Sequence, residues 1–465
     1  MDTISIGDIS GMPGPKYRAV AELIQAAISD GRLTPGDKLP PVRDLAWELK
    51  ITPGTVARAY SVLTDKGVLH AEVGRGTFVA GQEAPARPEP RLHIRNPPRE
   101  TGIVSLFSPH LPDVGQVGAI RRALREVAES EATDLLNYPS ARASDSARQA
   151  AARWLSTAQL GPVDPEQLVF THGGQNAVSL VMQCVLRGRR PVILVEELSY
   201  PGFRRAAELL RAEVVPVPMD AQGIIPEELD RLARTHAAQL LCTSPEVQSP
   251  TCLHTPLARR EAIAEVARAR GFQILEDDCY RLAEARQPGY RMLLPEQTWY
   301  IASISKQLTP ALRVGFAVAP RDSAAALRRA AEYGFFGLST PLAETIGVLL
   351  GAPSADRLAA DVRAEVGRYI RAGVNALGSY DLTWNADVPF FWLRLPEGWR
   401  VSAFCQAAEA QGLKIRSAED FAMREARVPH AVRISINAEV SLAAFEDAML
   451  RLRRLLDNPP QNIGV

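Results

Sequence analysis

Residues 299–315, WYIASISKQLTPALRVG, decide how the larger part of this 465-residue chain is read. The apolar run 299-WYIAS-303 has the length and composition of a buried strand. It delivers Lys306 to whatever lies beyond the strand's end. Beyond the first 66 residues only Lys306 and Lys414 are lysines, while arginine is abundant. A Schiff base needs an amine that can lose its proton, which a guanidinium cannot do, so a scarce lysine at a strand end is a candidate for that chemistry. Ser303 and Arg313 flank it at spacings that let a hydroxyl and a bidentate cation meet one phosphate. Standing alone, the stretch reads better as an exposed lysine after a strand.

Its surroundings change the weighting. Buried-strand candidates recur at 168-LVFT-171, 192-VILV-195, 213-EVVPV-217, 239-QLLCT-243 and 273-QILED-277, separated by helical stretches such as 175-QNAVSLVMQCVLRG-188 and 257-LARREAIAEVARARG-271. That alternation predicts an α/β body with a mostly parallel sheet covered on both faces and ligands beyond the strand C-termini. A smaller α+β part, roughly residues 355–456, contains the strand candidates 390-FFWLRL-395 and 432-VRISI-436. In 170-FTHGGQNAVSL-180 a strand ends in two glycines and a helix begins, which leaves helix N-terminal N–H groups suited to phosphate. In 274-ILEDDCY-280 a strand brings carboxylates to the sheet edge, where one would pair with a protonated ring nitrogen; structural salt bridges are the competing reading. Tyr200, in 196-EELSYPGF-203, follows another strand and is placed to stack on a planar ring. Taken singly it reads as a core or surface tyrosine.

Ahead of this body lies a different pattern. Apolar residues Tyr17, Val20, Ile24 and Ile28 recur at helical spacing, residues 42–49 predict a second short helix, and 52-TPGTVARAYSVLTDKG-67 opens with threonine and proline and closes at glycine, the start and stop signals of a third. Next, 68-VLHAEVGRGTFVA-80 predicts a hairpin with a glycine-rich tip. Between head and body, 81-GQEAPARPEPRLHIRNPPRE-100 exchanges apolar periodicity for proline, glutamate and arginine, the composition of a semi-rigid linker. The division expected is 1–80 head, 81–102 linker and 103–465 body.

Composition narrows the function classes. With 46% hydrophobic and 23% charged residues the chain is globular in type, and 53 basic residues offset 53 acidic ones, so any nucleic-acid surface must be local. No apolar run reaches membrane-spanning length and the first twenty residues lack the pattern of a signal peptide, so a soluble, cytoplasmic protein without membrane partners is expected. Five scattered cysteines without ligand spacing predict reduced thiols, no disulfide and no zinc.

Two short helices, a tight turn and a wing suit docking in a DNA major groove. Arg43, Thr52, Thr55, Arg58, Arg75 and Thr77 are the candidate contacts, the arginines for guanine edges or phosphate and the hydroxyls for close backbone approach. A winged helix used only for protein contacts is the plainer alternative. Residues 13–79 resemble the N-terminal domain of GntR-type bacterial regulators, carried by GRLTPGDKLPPVRDLA, TVARAY and GRGTFV in the family's order. Pro41 stands where that family usually has serine, and Pro53 and Gly54 stand where many members have a polar or basic pair.

The body's four segments are similar, in order and spacing, to fold-type I pyridoxal 5'-phosphate (PLP) enzymes of the aminotransferase class. That resemblance implies that Lys306 forms the internal aldimine, that Asp277, or Asp278 if the register slips by one, pairs with the pyridine nitrogen, and that Tyr280 hydrogen-bonds the ring oxygen. It further implies that Gly174, Gln175, Ser303 and Arg313 bind phosphate, that Tyr200 stacks on the ring, that Tyr138 reaches the cofactor phosphate of a partner subunit, and that Arg433 takes a ligand carboxylate. Two departures stand out: Ser249-Pro250-Thr251-Cys252 replaces the family's Asn-Pro-Thr-Gly turn, and Ala143 occupies a common glycine position. A GntR-like head on an aminotransferase-like body is similar to the MocR subfamily of transcriptional regulators. The resemblance implies a homodimer on an operator in double-stranded DNA, whose body senses a small amino compound by external aldimine formation at Lys306. A working aminotransferase with a DNA-binding head, and a regulator that senses PLP itself, remain open alternatives at this point.

Overall fold

The head's helices arise where the capping and periodicity signals place them. In the computed structural model, which describes residues 16–65, 67–72, 76–80, 103–139, 144–423, 426 and 428–459, with the side chains of 65, 71 and 72 not described, α1 spans Lys16–Ser29, α2 Val42–Glu48 and α3 Pro53–Asp65. The α1 stripe Val20, Ile24 and Ala27 is buried with Leu45 of α2 and Val56 and Leu63 of α3 in one core. Proline at the start of α3 costs nothing because the first helical N–H groups lack intrahelical partners anyway. The Thr52 hydroxyl ahead of it meets the Thr55 hydroxyl at 2.9 Å. After Gly67, at φ 72°, β1 (Leu69–Glu72) pairs antiparallel with β2 (Gly76–Val79), Leu69 opposite Val79. The chain separates into two compact units, residues 1–99 and 100–465. The stretch read as a linker lies outside the described residues.

In the body a seven-stranded sheet runs in the order Leu168–Thr171, Gly315–Val318, Thr298–Ser303, Gln273–Asp277, Leu240–Thr243, Val192–Glu196 and Glu213–Val217. Every neighbouring pair is parallel except those made by Gly315–Val318, which runs against both neighbours. Helix–strand alternation did not expose this strand. It follows Thr298–Ser303 with no α-helix between, and so short a connection returns the chain antiparallel. Buried side chains line both faces of the sheet, Val178, Val195 and Ile301 in one cluster and Leu194, Leu241 and Ile274 in another, as a sheet covered on both sides requires.

The long helix Ser354–Leu377 leads into a smaller antiparallel sheet ordered Leu382–Thr383, Phe390–Arg394, Ala431–Ser435 and Arg416–Ser417. Strand alternation splits its faces: Phe391, Leu393, Val432 and Ile434 join a helical core with Phe445, while Phe390, Trp392 and Ala431 belong to another cluster, the side that carries Arg433. The body's first strand, Val104–Ser105, pairs in parallel with Leu413–Lys414. The chain then follows the small sheet, the Leu106 carbonyl accepting from Ser435 N at 2.8 Å and His110 N donating to the Ile436 carbonyl at 3.0 Å. This path carries the Phe107 and Pro109 carbonyls toward the large sheet's C-terminal edge.

Candidate functional site

Lys306 ends a short 3₁₀ turn, Ile304–Lys306, that Ser303 caps by accepting from Ser305 N at 3.1 Å. Its Nζ donates to the Pro109 carbonyl at 3.3 Å and lies 5.8 Å from the centre of the Tyr280 ring. Burial pushes its pKa below the ordinary lysine value; Tyr280 opposes that shift and Arg433 reinforces it. The amine is therefore easier to deprotonate than an exposed lysine, which nucleophilic use requires.

The neighbouring carboxylates divide their roles. Asp277 closes its strand, is buried, and accepts from Cys279 N at 3.0 Å; burial pushes its pKa up to about 6. Asp278 turns away into a buried ion pair, its Oδ2 accepting from Arg281 Nε and from the Tyr300 hydroxyl, each at 2.5 Å. Of the two, Asp277 is the one without a cationic side-chain partner among the described residues, while Asp278 keeps its Oδ1 buried without a hydrogen-bond partner. Burial raises the Tyr280 phenol's pKa, but Arg433 and Lys306 outweigh it and hold the group below its ordinary value. The Tyr280 ring meets Phe390 edge-on, 5.2 Å between centres. Tyr200 stands at the start of the helix Pro201–Leu209, its ring edge-on to Phe203, and burial raises its pKa.

Beside Lys306 three chain segments converge tightly. Gly173, at φ 79°, precedes the helix Gly174–Val185; a Cβ there would lie 2.6 Å from Arg313 Nη2. A Cβ on Gly315 would lie 2.8 Å from the Gly173 carbonyl carbon and 3.0 Å from Gly174 N. Asn176 and Ala177 donate to the Gly173 carbonyl, which leaves the Gly174 and Gln175 N–H groups ahead of the helix's own ladder. A helix N-terminus with a guanidinium against it is an anion cradle. The Gln175 side chain donates from Nε2 to the Gly202 carbonyl at 3.0 Å. The Ser303 hydroxyl donates to the Val314 carbonyl at 3.0 Å and meets the Ser305 hydroxyl at 2.8 Å; nothing in the sequence singles out Ser305.

Arg433 is 1% exposed; its Nη1 donates to Ser249 Oγ and its Nη2 to the Phe107 carbonyl, both at 3.1 Å. Ser249, which stands in place of the family's asparagine, thus serves the arginine. Two further buried groups escape a reading of the sequence. Glu196, at the end of its strand, accepts from Thr243, Ser244 and Gln248, and burial pushes its pKa up to about 7. Gln248 carries that network into the loop that holds Ser249, donating to the Leu198 carbonyl. Neither has a sequence signal, because a glutamate ending an apolar strand looks like a solvated strand end.

Tyr138 is 80% exposed and stacks on Phe336, so within one chain it is not brought to Lys306. In the head, Arg43 is exposed on α2, and Thr52, Thr55 and Arg58 sit together at the start of α3, lining a surface concavity with Lys16 and Tyr17. The Arg58 guanidinium lies 4.3 Å over the Tyr17 ring. Thr77 is half-buried on β2, and Arg75 lies outside the described residues, as does Ala143. Among the described residues no His, Cys, Asp and Glu cluster suits a metal, the five cysteines are free, and no helix is long and apolar enough to cross a membrane.

Residues 108–452 match the family of class I and II aminotransferases, and residues 16–79 match the gntR family of bacterial regulatory proteins. The solved structure of LysN, the α-aminoadipate aminotransferase of Thermus thermophilus, shares the body's fold: TM-score 0.68, 24% identity, 77% of this chain and 92% of that one. The fold and site therefore define an HTH-type transcriptional regulator with an aminotransferase-like domain, and the aminotransferase family is PLP-dependent. Over 96% of this chain and 95% of its own length, an uncharacterized HTH-type regulator of Bacillus subtilis, YdeF, is 28% identical. The probable rhizopine catabolism regulatory protein MocR of Rhizobium meliloti is 25% identical over 68% of this chain and 67% of its own. The chain belongs to the MocR subfamily of GntR-type regulators.

Proposed function

We propose that the body holds PLP at Lys306 and uses it to sense a primary amine, so that amine binding changes the affinity of the head for an operator. The observation that carries this reading is the convergence of Lys306, Asp277 and the Gly173–Arg313 cradle at one sheet edge, with Arg433 opposite. The residues fit the cofactor. Glycine alone lets the Arg313 guanidinium and the Gly315 strand close on the helix N-terminus, where a Cβ would collide, Asp277 is a buried carboxylate without a cationic side-chain partner among the described residues, and the lysine's basicity is lowered. Gly174, Gln175, Ser303 and Arg313 would hold the phosphate, Asp277 the ring nitrogen, Tyr280 the ring oxygen and Tyr200 a ring face. When bound, PLP supplies an aldehyde carbon on which one primary amine replaces another.

Lys306 is the amine of the chain that an incoming amine releases, and Arg433 anchors that molecule's acid end by a charge-assisted contact. Released and engaged lysine are two states of the site, and coupling to DNA requires that each favour a different arrangement of the protein. Arg43, Thr52, Thr55, Arg58, Arg75 and Thr77 would meet the operator. A homodimer would present two heads to paired half-sites and place Tyr138 of one subunit at the other's phosphate. Such a regulator works where the DNA is, in the cytoplasm.

Titration of labelled operator with full-length protein, with and without each of a panel of primary amines, tests the proposal. An amine that shifts the cofactor's visible absorption should change operator affinity by roughly 5- to 150-fold, the usual range of allosteric coupling. Sustained transamination between that amine and a keto acid, with operator affinity unmoved, would instead make the chain a working aminotransferase. Spectral shifts without either effect sink both readings.

A further inference from the structure

Two arginines lie side by side on the site-facing side of the small sheet. Arg416 and Arg433 are directly opposed across neighbouring antiparallel strands, so their side chains leave the same face. Both guanidinium groups lie over the Phe421 ring, at 4.3 and 4.7 Å, and Arg416 also covers Phe107 at 4.6 Å. Burial lowers the Arg416 pKa and Arg433's charge adds to that, while Asp420 and, more weakly, Tyr280 oppose it.

Directly opposed like charges destabilise a sheet, and the more so away from water. Among the described residues, the carboxylate on the pair is Asp420, which accepts from Arg416 Nε at 3.1 Å and is itself partly exposed. Arg433 donates to the neutral oxygens of Ser249 and Phe107, and its Nε is buried without a partner. Each guanidinium carries five N–H donors, and the donors left over outnumber the roughly four acceptor positions of a single carboxylate. The pair is built for more anion than one carboxylate supplies.

We propose that Arg433 holds one acid group of the effector and Arg416 a second, so that the effector is a primary amine bearing two acid groups. This rests on the amine-sensing reading above and names its ligand class, with Arg416 as a specificity-determining residue. Lys306 and Arg433 flank the same Tyr280 ring, at 5.8 and 5.9 Å, so one small molecule spans the amine's end of the site and the arginine pair.

The test titrates the PLP-loaded full-length protein with aminodicarboxylates of increasing length, from aspartate to 2-aminoadipate, and with monoacids matched to each, β-alanine, 4-aminobutyrate and 5-aminopentanoate. Affinity is read from the visible spectrum. The best diacid should bind at least about tenfold more tightly than its monoacid counterpart, and Arg416→Met should reduce that preference to within about threefold by weakening the diacid. Equal affinities in the unaltered protein overturn this inference alone, even if the variant does not fold. A preference that survives Arg416→Met does the same. Spectral silence toward every amine overturns the amine-sensing reading, and this inference with it.

Discussion

Asp277 and Asp278 show how two identical neighbours acquire different tasks. In the sequence they are interchangeable by one step of register, because periodicity says which residues are buried and not which are already paired. Arg281 and Tyr300 consume Asp278, and neither contact has a local signature. Asp277→Asn should therefore weaken PLP retention and shift or bleach its absorption, with stability little changed in the loaded state. Asp278→Asn should leave the spectrum of the folded protein intact and cost about 3 kcal/mol by stranding the buried Arg281 charge. The opposite assignment of spectrum and stability loss to the two variants would exchange their roles. The pH dependence separates them further. Asp277's folded pKa, about 6, lies above the value of about 4 for an unfolded aspartate. Its contribution to stability is then complete below pH 4 and lost as pH rises through 6. In the cofactor-free protein, the stability of Asp277→Asn relative to the unaltered chain should rise between pH 4 and 8 by about 3 kcal/mol. Denaturant midpoints at several pH values give that difference, and a flat or falling difference contradicts the burial argument. Lys306, Arg313 and Arg433 are legible as residues because each is a rare type or sits in a recognisable string. Arg416, Ser305 and Glu196 are not, since their significance lies in what packs against them.

At the scale of elements, apolar runs locate six of the seven strands of the large sheet to within a residue at each end, while the helix read over 175–188 stops at Val185 and the helix Pro201–Leu209 and the strand Arg416–Ser417 are missed. Gly315–Val318 is the large sheet's missed strand, and it shapes the cradle: Gly315 pairs with Thr171 on one side and Ser303 on the other. Four residues directly after a proline-containing loop give period analysis too little to work with. The strand's tightness can be measured. In Gly315→Ala the added Cβ meets backbone, the Gly173 carbonyl carbon at 2.8 Å, so neither partner relieves the clash by turning a side chain. The variant should lose about 1 to 3 kcal/mol of stability, as overpacked sites do, and bind PLP more weakly because Gly174 N is displaced with it. Unchanged unfolding midpoint and unchanged cofactor affinity would show that the three segments are less closely fitted than described.

For the molecule as a whole, the two compact units belong to separate families, a gntR-type head and an aminotransferase-like body. Arg43→Ala and Arg58→Ala should each weaken operator binding while leaving PLP absorption untouched. A base-edge contact should cost about 1 to 3 kcal/mol, and a phosphate contact should instead flatten the salt dependence. Operator affinity equal to that of the unaltered protein in both variants would remove α2 and α3 from the DNA. The body's topology carries a consequence of another kind. Because Gly315–Val318 runs backwards between its neighbours, the loop bearing Lys306 and Arg313 leaves and re-enters the sheet at one edge, and the Ser303–Gly315 ladder pair closes it like a clasp. On the proposed reading, sheet register thereby fixes Ser303, Lys306 and Arg313 of the cofactor's grip together, whereas Ser249 and its neighbours come from a separate loop. On the same reading, changes in that separate loop alter turnover while the register-fixed clasp keeps its hold.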